Sequence, residues 1–120
     1  MSQKPFVLVV EDDDQLRKVI ATNLRARGFM VFEADSFSQA IDQLAIKPQL
    51  MILDIKLPDA TGWDVAQWAE TVSPSVPTIV ISVSKPDQRQ MAHFRPVGFL
   101  QKPFSIRQLM ELVDEYTPAA

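Results

Sequence analysis

A doubly wound α/β domain, one parallel sheet with helices on both faces, is what this sequence predicts, and three observations carry the prediction. Short runs rich in Val, Ile and Leu alternate with stretches whose apolar residues recur every three to four positions, as strands buried on both faces alternate with amphipathic helices. Repetition of that kind builds parallel pairs joined by right-handed crossovers. The apolar runs also stop on polar side chains: Glu11 and Asp12 after the first, Asp54 after the third, Ser82 after the fourth and Lys102 after the fifth. All strand C-termini of a parallel sheet share one edge, where open α/β sheets bind ligands. Polar groups from four strands therefore converge on one place.

Phe6 to Val10 forms the first strand, ended by the acidic cluster Glu11 to Asp14. The helix that follows turns Leu16, Val19, Ile20 and Leu24 inward and leaves Gln15, Arg17, Lys18 and Arg25 on a solvated face. Asp14 is its expected N-cap, and Gly28 ends it in the left-handed C′ position. Met30 to Ala34 is the second strand. Ser36 then caps a helix with Phe37, Ala40, Ile41 and Leu44 inside, closed by Pro48. Leu50 to Leu53 is the third strand and ends on Asp54. Ile55 to Gly62 is a loop by its Pro, Asp and Gly content. The third helix carries Val65, Trp68, Ala69 and Val72 inward, which leaves Trp63 partly exposed as a contact patch. Pro77 leads into the fourth strand, Thr78 to Ile81. Pro86 and Asp87 open a helix that Pro96 cuts off at about ten residues, with His93 on its surface. Val97 to Gln101 is the fifth strand. Phe104 and Ser105 open the last helix, whose inner face is Ile106, Leu109, Met110, Val113 and Tyr116. Pro118 to Ala120 reads as a frayed tail or linker stub, so that one domain over 1–120 has an ordered core of about 5–117.

Length and composition set bounds on function. The 120 residues make one ordinary domain, and 47% hydrophobic with 22% charged residues is near the globular average. A net charge of −3 gives no electrostatic hold on phosphate backbones, so direct nucleic-acid binding is disfavoured. The absence of cysteine excludes disulfides and zinc-thiolate sites, and one histidine, His93, makes a His-based metal site implausible. Met1 to Pro5 has no signal-peptide character and no apolar run reaches membrane-spanning length, so a cytoplasmic location without membrane association is expected. Three glycines, none in a phosphate-cradling loop, argue against a nucleotide site.

The converging side chains favour one chemistry. Clustered carboxylates repel one another unless a cation sits among them. Glu11, Asp12 and Asp54 suit Mg²⁺, which takes one or two carboxylates and keeps other positions for water or phosphate oxygens. Asp54 as nucleophile would form an acyl phosphate, with Mg²⁺ and Lys102 neutralising the equatorial oxygens and the Ser82 hydroxyl donating to one of them. Singly, each residue has a plainer reading. Asp13 and Asp14 belong to a helix start, Ser82 alone is a capping hydroxyl and Lys102 alone a surface lysine. Their alignment gives the chemical reading its weight.

The ordered set Glu11-Asp12, Leu53-Asp54 with Leu57-Pro58 and Gly62 downstream, Ile81-Ser82, and Lys102-Pro103-Phe104 resembles the receiver domain of bacterial two-component response regulators over nearly the whole chain. The resemblance implies a flavodoxin-like (βα)5 sheet of strand order 2-1-3-4-5. It also implies phosphorylation of Asp54 by a sensor histidine kinase or histidine phosphotransfer protein, with Mg²⁺ held by Glu11, Asp12, Asp54 and the Lys56 carbonyl. Ser82 would then swing toward the phosphoryl group and draw an aromatic switch residue inward. Phe99 stands at that position, though the residues alone leave it equally an ordinary core side chain. A cis bond between Lys102 and Pro103, a downstream output domain or protein, a phosphorylation-dependent dimer and kinase docking near the first helix are further implications.

Departures from the family pattern bear on function. Glu11 replaces the common Asp with a longer arm. Val83 follows Ser82 where a small residue is typical, and its bulk is expected to shield the acyl phosphate from water. Lys56 puts a cation at the mouth of the site. The segment from Ser82 to Lys102 is shorter than the family norm, with Arg95-Pro96 leading into the fifth strand, so the fourth helix should be short or irregular. The chain opens with Met and carries no output domain, which fits a free-standing switch or the excised N-terminal module of a longer regulator. Two rivals remain. A phosphate-independent pseudo-receiver scaffold would not need the intact acid set and Lys102. An aspartyl-phosphate phosphatase would need an acid where Lys56 stands, so an enzyme acting on external substrates is not expected.

Overall fold

The computed structural model describes residues 5–117, and the tail expected at Pro118 to Ala120 lies outside them. Five strands, β1 (Phe6–Val10), β2 (Met30–Ala34), β3 (Leu50–Asp54), β4 (Thr78–Ser82) and β5 (Gly98–Gln101), alternate with α1 (Asp14–Ala26), α2 (Phe37–Leu44), α3 (Gly62–Val72), α4 (Gln88–Phe94) and α5 (Ile106–Tyr116). All strand pairs are parallel, in the order β2-β1-β3-β4-β5. The expected architecture and strand order are both present.

Alternation along each strand sends side chains to two separate cores. Val7, Val9, Ile52, Ile79 and Ile81 meet Ile20, Ala21 and Leu24 of α1 and Leu109, Met110 and Val113 of α5 on one face. On the other, Leu8, Val10, Met51 and Leu53 meet Ala40 and Leu44 of α2 and Val65, Ala66 and Ala69 of α3. Each fully buried Leu or Ile contributes about 1.5–3 kcal/mol. The central strands β1 and β3 are buried at every position, which fixes the height at which Glu11 and Asp54 leave the sheet.

The helices correct several sequence expectations. Asp13, not Asp14, is the N-cap of α1: it keeps extended backbone angles and its Oδ1 accepts from the Gln15 and Leu16 N–H groups at 2.9 and 3.2 Å. Asp14 is thereby left as an acid in the first helical turn. The inner stripe of α1 is Arg17, Ile20, Ala21 and Leu24, while Val19 is 44% exposed. Arg17 can be buried because its guanidinium is paired with both Asp14 and Glu33. Gly28 has φ 94°, the left-handed conformation expected where α1 stops.

Trp68 departs from its expected inward place, whereas Trp63 is partly exposed as expected. The buried stripe of α3 is Gly62, Val65, Ala66 and Ala69, and Trp68 falls outside it with 47% of its surface exposed. Trp63 is partly buried and stacks on Phe94 of α4, centroids 5.7 Å apart and planes 12° from parallel. α4 is short as expected, a seven-residue helix capped by Asp87, with no buried residue, ending at Arg95 in the left-handed region.

Candidate functional site

The β3 strand delivers Asp54 to the C-terminal edge with its side chain almost wholly buried, and β1 delivers Glu11, which is fully buried. Lys102, just past β5, lays its ammonium between them: Nζ is 2.7 Å from Glu11 Oε1 and 2.9 Å from Asp54 Oδ2. The contact to Asp54 is a hydrogen bond. That to Glu11 is an ion contact without hydrogen-bond alignment, so Glu11 Oε1 is buried with no hydrogen-bond partner. Glu11 Oε2 accepts the Asp13 N–H at 3.1 Å, and Asp54 Oδ1 accepts the Lys56 N–H at 3.1 Å. The Lys102-Pro103 peptide bond is cis, as the family resemblance implied.

One ammonium shared between two buried carboxylates leaves an excess of negative charge. Burial pushes the Glu11 carboxyl up to about 8, and the adjoining Asp54 carboxylate adds to the rise, against the pull of Lys102 and the Asp13 N–H. Burial works to lower the Lys102 ammonium, but Glu11 and Asp54 outweigh it and hold it above the ordinary lysine value. Without a further cation, burial favours a proton on the Glu11–Asp54 pair.

Asp12, exposed at the rim, completes the acidic set. One carboxylate oxygen from each of Glu11, Asp12 and Asp54 lies within 4.8 Å of the others. Three hard oxygen donors, one a buried atom lacking a hydrogen bond, are a donor set that fits a divalent cation such as Mg²⁺. Zinc or a soft metal finds no thiolate and no imidazole there.

Ser82 ends β4 buried beside Asp54's strand, with its Oγ accepting the Ser84 N–H at 3.2 Å in its own loop. Phe99 is half-buried on β5 opposite Val80, so register puts it on the sheet face of Leu53. Val83 is 59% exposed, the Lys56 side chain is exposed, and His93 lies on the surface 3.5 Å from Glu70. Glu11, Asp54 and Lys102 are thus in direct contact, Asp12 within reach of them, Ser82 on the adjacent strand end and Phe99 a strand further out.

Three further residues support the site, and the supporting roles of Asp59 and Arg17 escaped the sequence. Asp59 accepts the Phe37 and Ser38 N–H groups at 2.8 and 3.1 Å, pinning the loop after Asp54 to the start of α2; those bonds hold its carboxyl below the usual range. Gly62 packs so tightly that a Cβ there would lie 2.3 Å from the Asp54 carbonyl oxygen. Arg17 donates to the Glu11 carbonyl at 3.0 Å. Only Gly62 left a signal, as a glycine at the head of a helix.

Known proteins resemble this chain in sequence and in fold. A family model described as the response regulator receiver domain matches residues 7–114. The chain is 36% identical over 110 residues to the KDP operon transcriptional regulatory protein KdpE of Escherichia coli, covering 86% of this chain and 47% of that protein. It is 30% identical over 120 residues to the sensor kinase CckA of Brucella abortus, covering 96% of this chain and 13% of the kinase. The crystal structure of a response regulator receiver protein from Pseudomonas putida superposes with a TM-score of 0.85 at 28% identity, covering 96% of this chain and 99% of that one. The chain spans about half the length of the transcriptional regulators it matches.

Proposed function

The chain belongs to the response regulator receiver domain family of two-component systems, and we propose that it is a phosphoryl-accepting switch whose acceptor is Asp54. The donor is the phosphohistidine of a sensor kinase or histidine phosphotransfer protein. An Asp54 carboxylate oxygen attacks phosphorus, the P–N bond breaks, and the departing imidazole nitrogen keeps the electron pair. The Lys102 ammonium, already hydrogen-bonded to Asp54, turns its donors to the equatorial oxygens of the transferred group. Ser82 exchanges its bond from the Ser84 N–H for one it donates to a phosphoryl oxygen. Its loop follows, and Phe99 moves inward from its half-buried position. Mg²⁺, held by Asp12, Asp54, Glu11 and the Lys56 carbonyl, supplies charge neutralisation on the transferred group when bound. Water attack on the acyl phosphate resets the switch.

The observation that carries this reading is Lys102 clamped between two buried carboxylates, one of them short of a hydrogen bond. In this reading the domain assists only its own phosphorylation and dephosphorylation, because Lys56 occupies the place of a general acid. Like the transcriptional regulators and the kinase it resembles, it would work beside an output domain or partner protein, with a phosphorylation-dependent dimer as one form of output. No helix among the described residues is long and apolar enough to cross a membrane. The test is mass spectrometry after incubation with Mg²⁺ and a small acyl-phosphate or phosphoramidate donor. The expected result is one phosphoryl adduct, absent from Asp54→Asn and from a metal-free control. A folded native domain that takes up no phosphoryl group from any donor would instead be a phosphate-independent scaffold.

A further inference from the structure

Arg17 stands on the inner face of α1, 8% exposed, with its nitrogens spread over three elements. Nη1 donates to the Glu11 carbonyl at 3.0 Å, Nε to Glu33 Oε1 of β2 at 3.2 Å, and Nη2 lies 2.7 Å from Asp14 Oδ1. Arg25 holds the other Glu33 oxygen at 3.3 Å and the Val31 carbonyl at 3.1 Å. The guanidinium is therefore fixed before it reaches Glu11, and its charge is already matched by Asp14 and Glu33.

Glu11 is the first residue past β1. Its N–H still pairs with the Ala34 carbonyl at 2.9 Å, but its own carbonyl has run off the end of the strand, and Arg17 supplies the donor that the sheet no longer can. With both main-chain groups tied, rotation about Glu11 is restricted. That restriction matters more here than for an aspartate, because an arm one methylene longer magnifies any swing of the backbone at the carboxylate. Asp12, next in the chain, inherits its direction from the same peptide.

We infer that Arg17 is a positioning residue for the acidic loop: by fixing the Glu11 main chain it sets how Glu11 and Asp12 meet a divalent cation. The inference rests on the proposed Mg²⁺ site, and groups that orient metal ligands in this way are typically worth 10–100-fold in affinity. Calorimetric Mg²⁺ titration of the full chain tests it in Arg17→Met, which keeps the apolar stem, and in Arg25→Met, which removes the other partner of Glu33 without touching Glu11. Arg17→Met should weaken Mg²⁺ binding by roughly tenfold, and Arg25→Met should leave it unchanged. Amide exchange in EDTA gives a metal-independent reading, since the Glu11 and Asp13 N–H groups should exchange faster in Arg17→Met while those of β3 do not. Native affinity in a folded Arg17→Met, or an equal loss in Arg25→Met, overturns the inference. If Arg17→Met does not fold, Arg17→Lys, which keeps the charge but lacks the fork, should show the same change in smaller degree, and an unchanged affinity there overturns it as well. A native chain that ignores Mg²⁺ would refute the proposed function, and the exchange result would then decide the role of Arg17 alone.

Discussion

β1 and β3 are buried at every residue, whereas β5 on the outer flank of the same sheet has no fully buried position and ends exposed. The helices follow suit: α1 buries four residues and α4 none. The fixed half carries Glu11 and Asp54, charges whose energetics depend on angstrom placement. The looser half carries Phe99 and the loop after Ser82, which the proposed switch would move at small cost. Lys102 sits at the join, reaching from the end of the looser half into the fixed one.

The largest expected effect compares like with like. Leu8→Ala on β1 should cost about 3 kcal/mol in urea denaturation, and Leu100→Ala on half-buried β5 about 1 kcal/mol. Equal losses would erase the distinction between the flanks.

The electrostatic strain belongs to the fixed half and gives a pH signature. Folded Glu11 keeps its proton up to about 8 against 4.5 for the unperturbed group, so between those values the folded state binds more protons than the unfolded one and stability falls as pH rises. In EDTA the native domain should lose on the order of a few kcal/mol across that window. Glu11→Gln, neutral throughout, should give a flatter profile. A native profile with no slope would show that Lys102 alone balances both carboxylates.

On the looser side, Phe94→Ala removes the ring stacked on Trp63 and should cost about 1 kcal/mol. The α4 amides should exchange faster and Trp63 emission should shift, with β1 and β3 amides unaffected. Protection of α4 that survives the substitution would mean that the stack does not hold this helix. The smallest effect is kinetic: Val83→Ala should shorten the acyl-phosphate lifetime by a few-fold, under about 1 kcal/mol in barrier. An unaltered lifetime would remove Val83 as a water shield.

The same division governs what the sequence disclosed. Strand ends were legible because four of the apolar runs stop on polar residues, and the acids, Ser82 and Lys102 could be aligned by topology alone. Arg17 was not, since a charged residue on an amphipathic helix is normally solvated and its partner Glu33 lies sixteen residues on, across a turn. Trp68 was misplaced because it lies beside, not on, the stripe of Gly62, Val65, Ala66 and Ala69 that α3 buries. Asp13 and Asp14 differ by one position, and only backbone angles tell a cap from a first turn. Asp59 is an acid in a loop until the α2 N-terminus is placed against it.

The glycine at the head of α3 has a mechanical consequence. With room for no atom between Gly62 and the Asp54 carbonyl, and a 2.7 Å bond from the Gly62 N–H to the Ile55 carbonyl, strand end and helix start form a fulcrum. The eleven residues of α3 make a lever about 16 Å long. A tilt of about 4° at that pivot would carry the far end of the helix by about 1 Å.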